Sequence, residues 1–185
     1  MKYIKTMLII TSSIYMTGCG YVTSNYGASP DNVDVIRAAG GIKVSVNEFI
    51  SATGRERTGI GCRAAGPIEN LNDQSFEDYI HDAFVNELRM AGAYAEDADV
   101  SISGEIKELD FNSNIGAGKW VISAKVNSSV SEGYEVKSRH EFSTNWVADK
   151  ACQQVAQAFE PAVEELIEKI VEHPGFKSLV GSSEI

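Results

Sequence analysis

The sequence predicts one α+β domain, with an antiparallel sheet of about four strands and two main helices on one face. Two long segments, 75–92 and 148–170, place apolar residues at spacings of three and four, which is typical of helices packed on a core. Several other segments alternate apolar and polar residues, as half-buried strands do. The predicted order is short helix, strand, helix, three strands and long helix, which fits an α+β layer architecture.

The predicted domain starts with a short helix. Ser29 is the expected N-cap, Pro30 takes the first helical position, and Gly40 ends the helix. A strand then runs to about Ser51. Its apolar residues alternate with polar ones: Ile42, Val44 and Val46.

Residues 52–74 are predicted to form a loop, because four glycines and Pro67 interrupt any periodicity. A long unstructured segment in a compact domain is usually functional. The first long helix follows, with Ser75 as N-cap, Asp78 three residues later as a variant capping box, and Gly92 at its end.

Three strands are predicted between residues 100 and 142. In the first, Val100, Ile102 and Ile106 share one parity whereas Leu109 and Phe111 have the other, which indicates a β-bulge. The segment 114–118, NIGAG, is a turn. The strands 120–126 and 134–142 then form a hairpin, which Glu132-Gly133 is expected to close.

The last helix is predicted to begin near Ala148 or Asp149. Pro161 must kink or divide it, because proline lacks the backbone donor that a helix interior requires. The tripeptide His173-Pro174-Gly175 is expected to end it.

The N-terminus has the layout of a secretory signal: Lys2 and Lys5, then a mostly apolar run too short to span a bilayer. It closes on Met16-Thr17-Gly18-Cys19, which resembles the lipobox of bacterial lipoproteins. The resemblance implies cleavage before Cys19, acylation (palmitate among the chains) of that cysteine, and anchoring without a membrane-spanning helix. Gly20, in place of the aspartate that retains lipoproteins in the inner membrane of enteric-type bacteria, favours the periplasmic face of the outer membrane of a Gram-negative bacterium.

The expected organisation is therefore a signal peptide at 1–18, a tether at 19–28 and a single domain at 29–185. Removing residues 1–18 takes away two lysines and no acid, which leaves 14 basic against 26 acidic residues and a formal charge of −12. So acidic a surface disfavours nucleic acid as a partner and would also be repelled by anionic lipid headgroups.

The order of elements from about residue 42 to 180, ending in HPGFKSL, resembles the YajG-like small outer-membrane lipoproteins. It resembles more distantly the auxiliary lipoproteins of envelope ABC transporters. The resemblance implies a compact α+β domain and an envelope location, and little about activity.

Two further cysteines, Cys62 and Cys152, would lie in a compartment that permits disulfides. The sequence leaves open a bridge between them or two separate buried thiols, and we favour the bridge. Metal binding is not expected from two thiols without a CxxC pair or paired histidines.

No enzyme motif is apparent in the sequence, so we expect neither catalysis nor a cofactor. His81 and Asp82 are helix neighbours, which should not face each other, and His140 is expected to be a core or cross-strand histidine. The glutamates of the last helix fit a solvated side: Glu160, Glu164, Glu165 and Glu168.

Three arginines, Arg55, Arg57 and Arg63, gather in the glycine-rich segment beside Cys62. They could pair with acids such as Glu56 and Glu69 or cap a helix, or they could recognise an anionic group on a partner through bidentate hydrogen bonds.

The function expected from the sequence is that of a non-enzymatic accessory or assembly factor that binds another envelope component. The alternative is a protein that binds a small or polymeric ligand, such as a peptidoglycan fragment or a lipid headgroup, through residues 52–74.

Overall fold

The fold is a five-stranded sheet covered by helices on one face, with a second sheet of three short strands beside it. A computed structural model describes residues 20–40 and 43–182. The strands are β1 Tyr21–Val22, β2 Val44–Val46, β3 Ile50–Ser51, β4 Gly59–Cys62, β5 Gly66–Glu69, β6 Val100–Asn112, β7 Gly118–Ser128 and β8 Ser131–Phe142. The helices are α1 Pro30–Ala38, α2 Phe76–Ala91, α3 Ala148–Gln157, α4 Phe159–Val171 and α5 Phe176–Leu179, with a 3₁₀ turn at Leu71–Asp73. The predicted α+β class is confirmed.

The larger sheet has the order β2-β6-β7-β8, and β3 also pairs with β6, further along the same edge. The three long strands β6, β7 and β8 pair antiparallel as expected. The short strands β2 and β3 pair parallel to β6, so the sheet is mixed. A parallel pair needs a long crossover connection, and α2 lies within the one between β3 and β6.

The core lies between the larger sheet and its helices, and Trp120 of β7 is its centre. The indole is fully buried, packs against Phe76 of α2 and Phe159 of α4, and donates its Nε1–H to the carbonyl of Val155 in α3. A buried indole N–H needs such an acceptor. One side chain therefore fixes three helices against the sheet.

The prediction that residues 52–74 form a loop was wrong. They hold the hairpin β4–β5, which joins β1 in the smaller sheet. The strands are short and rich in glycine, which hides their alternation. Pro67 is tolerated in the central strand β5 because β1 pairs only from Ile68 onward.

The prediction of a tether at 19–28 was wrong for the described residues 20–28. Tyr21 and Val22 pair with β5, Thr23 is buried, and the Tyr79 hydroxyl donates to the carbonyl of Ser24. A strand of two residues has no readable periodicity, so this pairing could not be predicted from the sequence.

The helix and turn signals were confirmed at most positions. Pro30 opens α1, Ser75 Oγ accepts the backbone N–H of Asp78, and Gly92 caps α2 in the left-handed conformation. Ser29 precedes α1 as expected, but its side chain makes no capping hydrogen bond.

The strand predicted from Ile42 to Ser51 was too long. Ile42 lies outside the described residues, and the rest divides into β2 and β3. Between them Phe49 turns into the core and packs directly over Gly104 of β6, where a Cβ would lie 2.7 Å from the ring.

The bulge predicted in β6 is present, since the register shifts between Ile106 and Glu108. The turn predicted at Glu132-Gly133 was wrong. The β7–β8 hairpin turns at Ser129 and Val130, and Gly133 lies in a second bulge. Turn and bulge both use a residue with positive φ, so the dipeptide alone did not distinguish them.

Pro161 divides the last helix, as predicted. α3 ends at Gln157 and α4 starts at Phe159, because the proline has no N–H to donate to the carbonyl four residues before it. Within residues 20–40 and 43–182, none of the helices combines the length and the apolar character needed to cross a bilayer.

Candidate functional site

A disulfide joins Cys62, at the end of β4, to Cys152 in α3. The predicted bridge is therefore present. Both cysteines are buried. The bond links the smaller sheet to the helical layer of the larger one, and so it fixes the position of the hairpin turn 63–65.

Arg57 is not a free binding side chain but part of an internal ion pair. Its guanidinium contacts Glu77 Oε1 at 3.1–3.2 Å and donates to the carbonyl of Leu109. Glu77 is fully buried and also accepts the backbone N–H of Arg57. The prediction that Arg57 recognises a partner is therefore corrected, because its charge already neutralises a buried carboxylate.

Arg63 also bonds internally. Its Nε donates to Ser113 Oγ and its Nη1 to the carbonyl of Asn145, both at 3.0 Å. Its backbone φ of 45° is unusual for a residue other than glycine. The side chain holds three loops together, so it is a structural cross-link rather than a free cation.

Arg55 differs from the other two, because it is exposed and lies in the bend before β4. The three arginines consequently do not form one site. The acids that the sequence suggested as partners, Glu56 and Glu69, are not those that Arg57 and Arg63 contact. Arg57 and Arg63 are paired internally, with Glu77, Ser113 and backbone carbonyls as partners, whereas the role of Arg55 stays a prediction.

The loops tied by Arg63 form one exposed surface, which we call the loop end: residues 63–65, 113–117 and 143–147. The Thr144 hydroxyl donates to the carbonyl of Asn114, and Gly116 N–H donates to the carbonyl of Thr144. Ile115 is 76% exposed and Trp146 is 75% exposed. Neither side chain was predicted from the sequence to be functional, although the sequence shows that these loops carry few charges.

A groove of about 450 Å³ runs along the outer side of α2, between the N-terminal segment and Tyr94. At one end Asp82 accepts hydrogen bonds from Gln74 Nε2 (2.8 Å) and contacts His81 Nδ1 (3.0 Å). The prediction that neighbours His81 and Asp82 do not meet was wrong, because both side chains bend toward the same end of the groove.

The other end of the groove carries a cation without a carboxylate partner among the described residues. The Arg89 guanidinium lies 4.7 Å from the centre of the Tyr94 ring, in a cation–π contact. Tyr26 and Tyr79 add aromatic surface. Such a combination suits an anionic ligand that also has an apolar or sugar face.

Beneath the N-terminal segment lies a buried carboxyl group. Glu87 Oε1 accepts the Tyr26 hydroxyl at 2.5 Å and the Ser29 N–H at 2.9 Å, whereas Oε2 is buried without a partner. Burial raises the pKa of Glu87 above its ordinary value, and burial beside Glu87 also raises the pKa of Tyr26. These contacts clamp the N-terminal segment to α2.

The remaining ionisable candidates form no metal site or catalytic constellation in the part of the chain that the structure describes. His140 Nδ1 lies 3.5 Å from Glu165 Oε2, and Glu165 Oε1 accepts the Arg139 N–H. The glutamates of α4 are half-buried and spread along the helix. No group of three or more potential metal ligands occurs among residues 20–40 and 43–182. Cys19, the predicted lipidation site, lies outside the described residues.

The fold has counterparts among solved structures. Protein XCC0632 from Xanthomonas campestris, a DUF330 protein, superposes with a TM-score of 0.57 at 14% identity, over 88% of this chain and 96% of that chain. The hypothetical protein CT253 from Chlamydia trachomatis reaches 0.44 at 9% identity, over 75% and 98%. A "putative lipoprotein" from Caulobacter crescentus reaches 0.41 at 10% identity, over 84% and 99%.

The likeness to the Xanthomonas protein shows a shared fold and nothing further. No family model and no curated protein sequence matches this chain. The resemblance to YajG-like lipoproteins stays a prediction.

Proposed function

We propose that this protein is a lipid-anchored protein of the periplasmic face of the outer membrane, whose domain binds another envelope component without catalysis. One observation carries the proposal: the tetrapeptide Met16-Thr17-Gly18-Cys19 ends an apolar signal-like segment, and the folded domain begins at Tyr21, two residues later. The lipid and the domain are adjacent, and this suits a protein that works at the membrane surface.

The exposed edge of the larger sheet supports a binding role. β8 is an edge strand of 12 residues, and no described strand pairs with its outer side, where Glu165 accepts the Arg139 N–H. Its solvent-facing residues are all charged and include both signs, which discourages self-association of edges: Glu135, Lys137, Arg139 and Glu141. A partner segment with complementary charge could add to this edge by strand pairing.

The anchor is tested by Cys19→Ala in cells that produce the full chain. We expect the variant to leave the membrane fraction or to retain its signal, whereas the wild-type mature protein should carry acyl chains in intact-mass measurement. Glu96→Gln, a change at an exposed position outside the signal segment, is the control. Unchanged fractionation of a correctly processed Cys19→Ala protein would contradict the proposal.

The partner is tested by a photo-crosslinking amino acid placed in living cells at Lys137 on the β8 edge. We expect a discrete protein adduct from this position and none from Asp34, which is exposed on α1. Absence of adducts from Lys137, with adducts from Asp34, would move the binding surface away from the sheet edge.

The α2 groove favours a second candidate function, the binding of an anionic peptidoglycan fragment. The ligand surface would then be the groove and not residues 52–74, because Arg57 and Arg63 are occupied internally. Calorimetric titration with a purified muropeptide should show binding that Arg89→Ala abolishes and Arg55→Ala preserves. No heat of binding by the wild type would eliminate this candidate.

A further inference from the structure

The loop end is unusual in charge. Outside Arg63, whose guanidinium is committed to internal hydrogen bonds, residues 63–65, 113–117 and 143–147 include no charged residue. The chain from Cys19 onward has 40 charged residues, 26 of them acidic. Loops without acids in so acidic a protein approach anionic lipid headgroups with less repulsion than the rest of the surface, and the nearby Asp149 carboxylate accepts the Tyr21 hydroxyl.

The exposed side chains at this end are apolar. Ile115 and Trp146 project from neighbouring loops, and Ala64, Ala65 and Ala117 are also exposed. Indole combines an apolar ring with one N–H donor, and for this reason tryptophan is enriched at membrane–water interfaces. Exposed apolar side chains grouped on neighbouring loops mark an interaction site, whereas a single one would not.

The start of the domain lies at this same end. β1 runs parallel to β5, whose beginning is paired with Cys62 beside the turn 63–65. The Tyr21 hydroxyl donates to Asp149 Oδ1 at 2.9 Å, three residues after Trp146. Residue 19 precedes Tyr21 by two positions, a reach of at most about 7 Å. Acyl chains on Cys19 would therefore enter the bilayer beside the loop end.

We propose that the loop end rests on the lipid surface, with Ile115 and Trp146 inserted at the membrane interface. This inference rests on the proposed function for the anchor that brings the surface to the bilayer. The anchor makes insertion effectively intramolecular, so two modest side chains suffice to orient the domain. The disulfide and Arg63 hold the three loops as one rigid surface.

The test uses the full mature protein purified in detergent and reconstituted into phosphatidylethanolamine–phosphatidylglycerol vesicles, with or without bromine on the acyl chains. The other tryptophan, Trp120, is fully buried, so the difference in fluorescence between wild type and Trp146→Phe isolates Trp146. We expect the Trp146 emission in vesicles to lie at a shorter wavelength than that of a solvent-exposed tryptophan. In vesicles with brominated acyl chains, we expect this emission to lose most of its intensity. Emission that stays unquenched by bromine and accessible to aqueous acrylamide would overturn the proposal.

The intact mass of the purified protein shows whether it carries acyl chains, and so it tests the anchor separately from the loop-end contact. A lipidated protein with unquenched Trp146 refutes the loop-end contact and leaves the anchor standing, whereas an unlipidated protein that is still quenched supports the contact and refutes the anchor.

A photo-crosslinking residue at Ile115 distinguishes a membrane from a protein or a second copy of this chain as occupant. We expect no protein adduct from this position in cells, and a discrete protein adduct would overturn the lipid assignment.

Discussion

Two buried carboxyl groups on α2, Glu77 and Glu87, lie ten residues apart in opposite electrostatic surroundings. Glu77 is met by the Arg57 guanidinium and backbone N–H, whereas Glu87 receives only neutral donors. The first is a satisfied ion pair. The second keeps one oxygen without a partner, and a buried charge of that kind is costly.

Replacing Arg57 by alanine should destabilise the domain by about 2–3 kcal/mol, because it leaves the Glu77 carboxylate buried without its cation. Arg55→Ala is the matched control in the same segment, and should stay within about 0.5 kcal/mol of wild type, as surface changes usually do. Urea unfolding of both variants measures the difference. Equal stabilities would show that the Arg57–Glu77 pair contributes nothing net.

Glu87→Gln should be more stable than wild type at neutral pH. A carboxyl group whose pKa is raised in the folded state contributes its full stabilisation of the fold at pH values below the ordinary glutamate pKa of about 4.3. That stabilisation is lost as the pH rises through the folded-state pKa. The difference in unfolding free energy between variant and wild type should therefore widen as pH rises above about 4.3 and then level off.

Denaturant unfolding from pH 4 to pH 8 measures this difference, and Glu96→Gln, at an exposed position, is the control for the loss of one carboxyl group. If the difference in unfolding free energy between Glu87→Gln and wild type narrowed as pH rises, the carboxylate of Glu87 would be stabilised in the folded state.

At the scale of an element, β8 depends on one backbone position. Gly133 has φ of 73°, and a Cβ there would overlap the carbonyl oxygen of Val126. The bulge lets β7 and β8 continue in register on both sides of the irregularity. Gly116 in the β6–β7 turn has φ of 85° but open space around it.

These two glycines make a matched pair. Gly116→Ala should cost about 1 kcal/mol, the ordinary penalty of the left-handed region. Gly133→Ala should cost clearly more, since the backbone of β7 must also move. Thermal unfolding of the two variants compares them, and a Gly133→Ala protein as stable as Gly116→Ala would show that the bulge relaxes freely.

For the whole molecule, the disulfide is the covalent connection between the two sheets. Cys62 and Cys152 are separated by 90 residues. The chain-entropy model assigns a loop of that length about 4–5 kcal/mol, an upper value. The smaller sheet has little core of its own, so the bond and its contacts with α3 hold it in place.

Reduction of the purified protein should therefore lower its melting temperature by roughly 5–15 °C. The Cys62→Ser/Cys152→Ser double variant should melt near the reduced wild type and should not respond to reductant. Two titratable thiols in the native, freshly isolated protein would contradict the bond.

Local signals explain which elements were predictable. The capping pair Ser75 and Asp78, the parity change before Leu109 and the break at Pro161 each act within a few residues of chain. The smaller sheet was not predictable, because strands of two to four residues with several glycines carry no period. For the candidate site, the sequence indicated only that three arginines gather in one segment. Their partners could not be predicted, because they come from distant segments of the chain.

The sequence by itself determined the α+β class, the long helices and hairpin, the cysteine pair and the predicted anchor at Cys19, because these depend on local periodicity, caps and motifs. Only the tertiary structure decided that Arg57 neutralises Glu77 and that Arg63 joins loops 50 and 82 residues away. It also brought Ile115 and Trp146 beside the start of the domain. Such contacts depend on which distant segments meet in space, and no local pattern in one chain records that.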